Sequence, residues 1–172
     1  NVGAGDKERA EYIAGLALSL GIIIAAVLGI SGILFSKSIF TFIVDDPDVI
    51  RIGTGYTRIV FVGAFFVIPA IISSSIIRAT GNTVIPMIAA IAANVTNIVG
   101  DHVLIFGKFG FPQLKANGAA IATAGSQAIS FIICIVYLIK GVNGIKIRRK
   151  NMFNFKKESL KTLIGLSTPA GM

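Results

Sequence analysis

Cysteine, histidine and charge are all scarce in this 172-residue chain. Its one cysteine, Cys134, lies inside an apolar run, which excludes a disulfide framework within the chain or a cysteine-based metal site and leaves the thiol a packing role. The one histidine, His102, follows Asp101 directly, and on a helix successive side chains point about 100° apart. Its ring is therefore expected at lipid or an interface rather than in a proton relay with Asp101. No Ser-His-Asp set, P-loop or dinucleotide-binding motif is present, so the sequence does not read as an enzyme.

Asp, Glu, Lys and Arg together make up only 14% of the residues, against 54% hydrophobic ones, and the mean hydropathy is +0.83. Such a composition predicts an integral membrane protein. Four uncharged runs, Tyr12 to Ser36, Ile59 to Ile77, Ala79 to Gly100 and Ala116 to Ile139, are each long enough to cross a hydrocarbon core about 30 Å thick. The expected transmembrane helices cover about 12–36, 55–78, 83–106 and 118–139, followed by a basic linker over 140–159 and the start of a further helix over 160–172. The expected fold class is an all-α membrane protein, an antiparallel transmembrane helix bundle.

The net charge of +8 is read by position once the chain is embedded in lipid, and nucleic acid is not expected as a partner. Along the chain, two Lys or Arg precede the first run, and three, one and two fall in the successive connections. Eight more follow the fourth run, so alternate sides carry eleven and five. The positive-inside rule then places the N-terminal end, the Arg78 turn and the C-terminal basic segment in the cytoplasm.

Local signals punctuate the runs. Gly3-Ala4-Gly5-Asp6 reads as a turn before the first helix. Ala17, Gly21, Ala25 and Gly29 form a stripe of small residues that lets another helix approach closely. Asp46 before Pro47 predicts a capped helix start, with Arg51, Tyr56 and Arg58 as anchors before lipid is reached. Pro69 predicts a kink, either structural or a gating hinge, with Ser73, Ser74 and Ser75 available to satisfy freed backbone groups. At the Arg78 turn, Gly81 and Asn82 suit positive φ and Thr83 is expected to cap the next helix. So short a link predicts that the second and third spans are antiparallel neighbours. Gly118, Ala122, Ser126 and Ser130 make a second small-residue stripe.

Asp101 is the anomaly in this apolar setting. Asn94, Asn97 and Asp101 recur at helical spacing and share one face. Counted from the two ends of the loop between third and fourth spans, Asp101 and Thr123 both lie roughly 8 to 9 Å below it. Asn97, Asp101 and Thr123 are thus one candidate cluster. A carboxylate at a helix centre costs about 2.5 to 3.5 kcal/mol to insert, which calls for a partner, a proton or a cation. The oxygen donors of Asp, Asn and Thr suit a hard cation such as sodium. The alternative is that Asp101 and Asn97 simply hydrogen-bond neighbouring helices.

These residues also carry a resemblance. The chain resembles the multidrug and toxic compound extrusion (MATE) transporters of prokaryotic type through Gly3 to Asp6, Tyr56 and Arg58, Arg78 through Gly81 to Pro86-Met87, Asn97 to Asp101 with Leu104 to Gly107, and Gly118 to Thr123 with Ser126-Gln127. His102 stands where that family often has proline, and Asn82 where it often has an acidic residue. The resemblance implies a piece of a twelve-helix, two-lobe transporter, corresponding to helices three to six of the N-terminal lobe plus the start of helix seven. It implies antiport of organic cations or amphipathic compounds against protons or sodium. Asn97, Asp101 and Thr123 would form the cation site, with Asn94 and Gln127 in support. The coupling ion would be H+ or Na+, with no cofactor. The partners would be a small-molecule substrate, membrane lipids and the remainder of the same transporter chain, in a multi-pass cell-membrane protein. A lipid-linked precursor flippase of the same superfamily and a non-transporting membrane scaffold are the rival readings.

Overall fold

The computed structural model describes residues 7–147. Four helices follow one another: α1 (Lys7–Ile43), α2 (Pro47–Ala79), α3 (Val84–Phe106) and α4 (Ala116–Lys140). All four are long and apolar enough to cross a membrane. Gly3 to Asp6, the part of the basic linker beyond residue 147, and the segment 160–172 lie outside the described residues.

Helices α1 and α2 run past the apolar stretches that mark their spans. Helix α2 starts at Pro47 because Asp46, extended at φ −73° and ψ 116°, accepts the amides of Asp48 and Val49 at 2.8 and 3.3 Å. Proline at the first helical position has no amide to leave unpaired. The helix continues through Pro69 to Ala79. The three serines do not rescue the freed backbone. Ser75 Oγ donates to the Ile71 carbonyl at 2.8 Å, Ser74 Oγ accepts from Arg78 at 2.6 Å, and Ser73 Oγ is buried with no partner. Ser73 lies about 12 Å along the axis from Phe65, too far to reach its carbonyl.

The Arg78 turn differs from expectation in two details. Gly81 alone takes positive φ, at 84°, while the Asn82 side chain accepts the Ile85 amide at 3.1 Å. Thr83 makes no side-chain cap. The amide of Asn82 sits three residues ahead of an orphan donor at the helix start, the reach at which short polar side chains cap.

The order of packing is α1, α2, α4, α3. Helices α2 and α3, joined by the short turn, touch only slightly, and α4 packs against both of them. This overturns the expectation that the second and third spans are neighbours. A short link fixes only the separation of two helix ends; the faces decide the rest, and here small residues let α4 approach closely on both sides. A Cβ on Gly63 of α2 would come within 3.3 Å of Ala124, one on Gly100 of α3 within 3.0 Å of Ala122, and one on Gly118 of α4 within 2.7 Å of the Leu104 carbonyl. Along α1 the small stripe extends to Gly32, where aromatic rings fill the space: Phe65 sits on Gly29 and Phe61 on Gly32.

At the Arg78 end, Leu18 of α1, Ile77 of α2, Ile85 of α3, and Cys134 and Leu138 of α4 form the core with Val142 and Ile147. The chain after α4 folds back here as a tight turn, with Val142 and Ile145 exchanging backbone bonds at 2.8 and 2.9 Å. Elsewhere long apolar faces remain exposed, including Ile24, Val27, Leu34, Val95 and Ile98, as suits helices whose solvent is hydrocarbon.

Candidate functional site

The junction of α3 and α4 is set by two glycines. Gly100 lies against Ala122 and Gly118 against the Leu104 backbone, and the Leu114 amide bonds the Leu104 carbonyl at 2.9 Å to hold the end of α3 against the connection. In this antiparallel register, Asp101 and Thr123 fall within a turn of each other. The polar side chains flanking Gly100 are thereby carried to the seam between the helices.

Asn97 Nδ2 donates to Thr123 Oγ1 across the seam at 3.3 Å. One turn along α3, Asp101 Oδ1 is buried and has no hydrogen-bond donor. Of the three residues expected to cluster, Asn97 and Thr123 are bonded directly, while Asp101, one turn from Asn97, bonds neither. Asn94 is exposed, with no hydrogen bond placing it in the cluster. Gln127 lies one turn along α4 from Thr123, in a separate cleft of about 360 Å³ between α2, α3 and α4 that Ser74, Arg78, Met87 and Ser130 also line. His102 stays on the exposed side, its ring 5.6 Å from that of Phe106.

Chemically the seam offers hard oxygen donors: a carboxylate, an amide carbonyl and a hydroxyl. No group of three His, Cys, Asp or Glu side chains able to hold a metal ion occurs among the described residues. A monovalent cation or a proton fits this set, since one carboxylate supplies one negative charge and the unpartnered Oδ1 is an acceptor with nothing to accept.

Two buried polar groups, one at each end of the bundle, had not been singled out. Asn117, at the start of α4, has a buried and unpartnered Oδ1 and packs over Gly55 of α2. Glu11, near the start of α1, is buried and accepts the Lys146 amide at 3.0 Å. The signal for Asn117 was its place directly before the small stripe of α4. No local signal marked the partner of Glu11, which is distant in sequence.

The MatE family model matches residues 1–103. The chain is 30% identical over 172 residues to the "Probable multidrug resistance protein YoeA" of Bacillus subtilis (strain 168), covering 99% of this chain and 37% of that protein. It is 27% identical over 169 residues to the "Multidrug export protein MepA" of Staphylococcus aureus (strain bovine RF122 / ET3-1), covering 98% of this chain and 36% of that protein. Among solved structures it resembles an inward-facing multidrug resistance MATE family transporter of the MOP superfamily, with a TM-score of 0.82 and 24% identity over 95% of this chain and 36% of the other. The chain therefore spans a little over a third of the length of these relatives. The shared fold is that of an all-α membrane protein of the twelve-helix, two-lobe kind.

Proposed function

The chain belongs to the MatE family of multidrug efflux transporters, and from that premise we propose that it supplies the cation-coupling half-site of a secondary antiporter that expels organic cations or amphipathic compounds in exchange for H+ or Na+. The observation that carries this reading is Asp101 Oδ1, buried beside the Asn97–Thr123 hydrogen bond with no donor of its own. A buried acceptor without a partner costs about 1 to 3 kcal/mol, more for a charged group, and a bound cation or proton removes that cost. Asp101 is the charged ligand in this reading, with Asn97 and Thr123 as neutral oxygen ligands.

Coupling follows from linkage. A cation held more tightly in one arrangement of the lobe shifts the population toward it, and a substrate favouring the other arrangement is displaced in turn. The seam is suited to such a two-state response, because backbone contact through Gly100 and Gly118 leaves few side chains to absorb a sliding motion of α3 on α4. The remainder of the transporter chain completes the cavity, and the ends carrying Lys7 and Lys140 face the cytoplasm. The test is efflux of a fluorescent cationic dye from vesicles containing the full transporter under an imposed proton or sodium gradient. Asp101→Asn is expected to abolish gradient-driven efflux while leaving dye binding in place; efflux at the wild-type rate would overturn the assignment.

A further inference from the structure

At the opposite end from Arg78, the C-terminal turns of α1 and the N-terminal turns of α2 enclose a cleft of about 620 Å³, within the range of small-ligand sites. Lys37, Arg51 and Arg58 converge on it, with Thr54, Pro47 and Ile50 also in the wall. The charges are unequally compensated. Arg51 pairs with Asp48 at 3.1 Å. Asp46, the cap before α2, has its carboxylate turned to the amides that begin the helix. Neither Lys37 nor Arg58 has an ion-pair partner among the described residues. Arg58 is oriented by a bond from Nε to Ser36 Oγ at 3.2 Å, which leaves its terminal nitrogens to a ligand. At the wall, the buried Thr54 hydroxyl lacks a partner.

We propose that this cleft holds the phosphodiester headgroup of an anionic phospholipid. Two uncompensated cations, one of them a guanidinium held in place by a serine, suit the planar, multidentate recognition of phosphate oxygens. A lipid, rather than a free phosphate, is the ligand because of where the cleft sits. Ser36 and Ile59 mark the ends of the uncharged runs of α1 and α2, so Lys37 and Arg58 stand at headgroup depth. On the membrane side of them Leu34, Phe35, Val60 and Val62 are exposed, Leu34 at 69%, and offer acyl chains an apolar surface. The headgroup would bridge α1 and α2, which ties the lipid to the packing of this helix pair.

The experiment is native mass spectrometry of the full purified transporter titrated with phosphatidylglycerol or phosphatidylcholine, with glycerol phosphate as a soluble competitor. Phosphatidylglycerol is expected to be retained in preference to phosphatidylcholine and not displaced by glycerol phosphate. Lys37→Gln, which removes no side-chain hydrogen bond or ion pair among the described residues, is expected to weaken phosphatidylglycerol binding about fivefold, and Lys37→Gln with Arg58→Gln about thirtyfold. Arg58→Lys keeps the charge and guards against a folding defect, and Lys108→Gln with Lys115→Gln, outside the cleft, is expected to leave binding unchanged. Equal retention of the two lipids, or undiminished phosphatidylglycerol binding by Lys37→Gln and the double variant, would overturn the proposal. Displacement by glycerol phosphate would overturn the assignment to a lipid.

Discussion

Asn97 of α3 and Thr123 of α4 are joined by a hydrogen bond of 3.3 Å at the seam beside Asp101. Its consequence for coupling can be separated from its consequence for packing by choosing the replacement. Thr123→Val keeps the shape but removes the hydroxyl, leaving Asn97 without its acceptor; Thr123→Ser keeps the hydroxyl and removes a methyl. In the full transporter, Thr123→Val is expected to weaken the apparent affinity for the coupling cation about two- to tenfold, with Thr123→Ser near wild type. The measurement is dye efflux as a function of the sodium or proton gradient. Equal behaviour of the two variants would remove the hydroxyl from the site.

Gly118 and Gly125 occupy the same helix but opposite situations. A Cβ at Gly118 would lie 2.7 Å from the carbonyl carbon and oxygen of Leu104, backbone that cannot swing aside, whereas one at Gly125 meets nothing within 4 Å. Gly118→Ala is expected to lower stability by about 1 to 3 kcal/mol by forcing α3 and α4 apart. Gly125→Ala should be neutral or stabilising by up to about 1 kcal/mol through helix propensity. Thermal unfolding of the detergent-solubilised transporter compares the two, and a larger loss at Gly125 would contradict the seam as described.

What was legible in the sequence was local or periodic. The Asp46–Pro47 helix start needs only neighbouring residues, and the small stripes of α1 and α4 follow from helical spacing. Counting rise on either side of one loop set Asp101 level with Thr123 and grouped Asn97 with them, whereas the hydrogen bond across the seam is made by Asn97. The helix order was not legible, because the short link from Ala79 to Val84 constrains two ends and says nothing of the faces beyond them. Gly63 and Gly100, which admit α4 between α2 and α3, gain that meaning only from the Ala124 and Ala122 placed opposite. The exchange of Asn82 for Thr83 as cap is of another kind: both types cap helices well, and the choice between adjacent candidates turns on where the chain leaves the Gly81 turn.

That exchange is itself testable. Asn82→Ala removes the acceptor of the Ile85 amide and is expected to cost about 1 kcal/mol, while Asn82→Asp should retain most of the cap. Thr83→Ala removes no side-chain cap bond and should change stability by less than about 0.5 kcal/mol. Hydrogen exchange of the first turn of α3 reads the difference directly. Faster exchange in Thr83→Ala than in Asn82→Ala would reverse the assignment.

The turn after α4 is fastened to the ends of two other helices. Glu11 of α1 accepts the Lys146 amide at 3.0 Å, and Asn143 Nδ2 donates to the Thr80 carbonyl, at the end of α2, at 2.9 Å. Glu11 is only 9% exposed, so truncating it strands a backbone donor in a place water reaches poorly. Glu11→Ala is expected to cost about 1 to 3 kcal/mol, whereas Glu11→Gln retains an acceptor oxygen and should cost less. Asn143→Ala should cost about 1 kcal/mol, and because both bonds hold one short turn, the double variant should lose less than the two single losses combined. Once either fastening is gone, the turn is already partly free and the other bond holds less. Strict additivity in unfolding measurements would mean that the two contacts act independently, and that the turn does not move as one unit on the ends of α1 and α2.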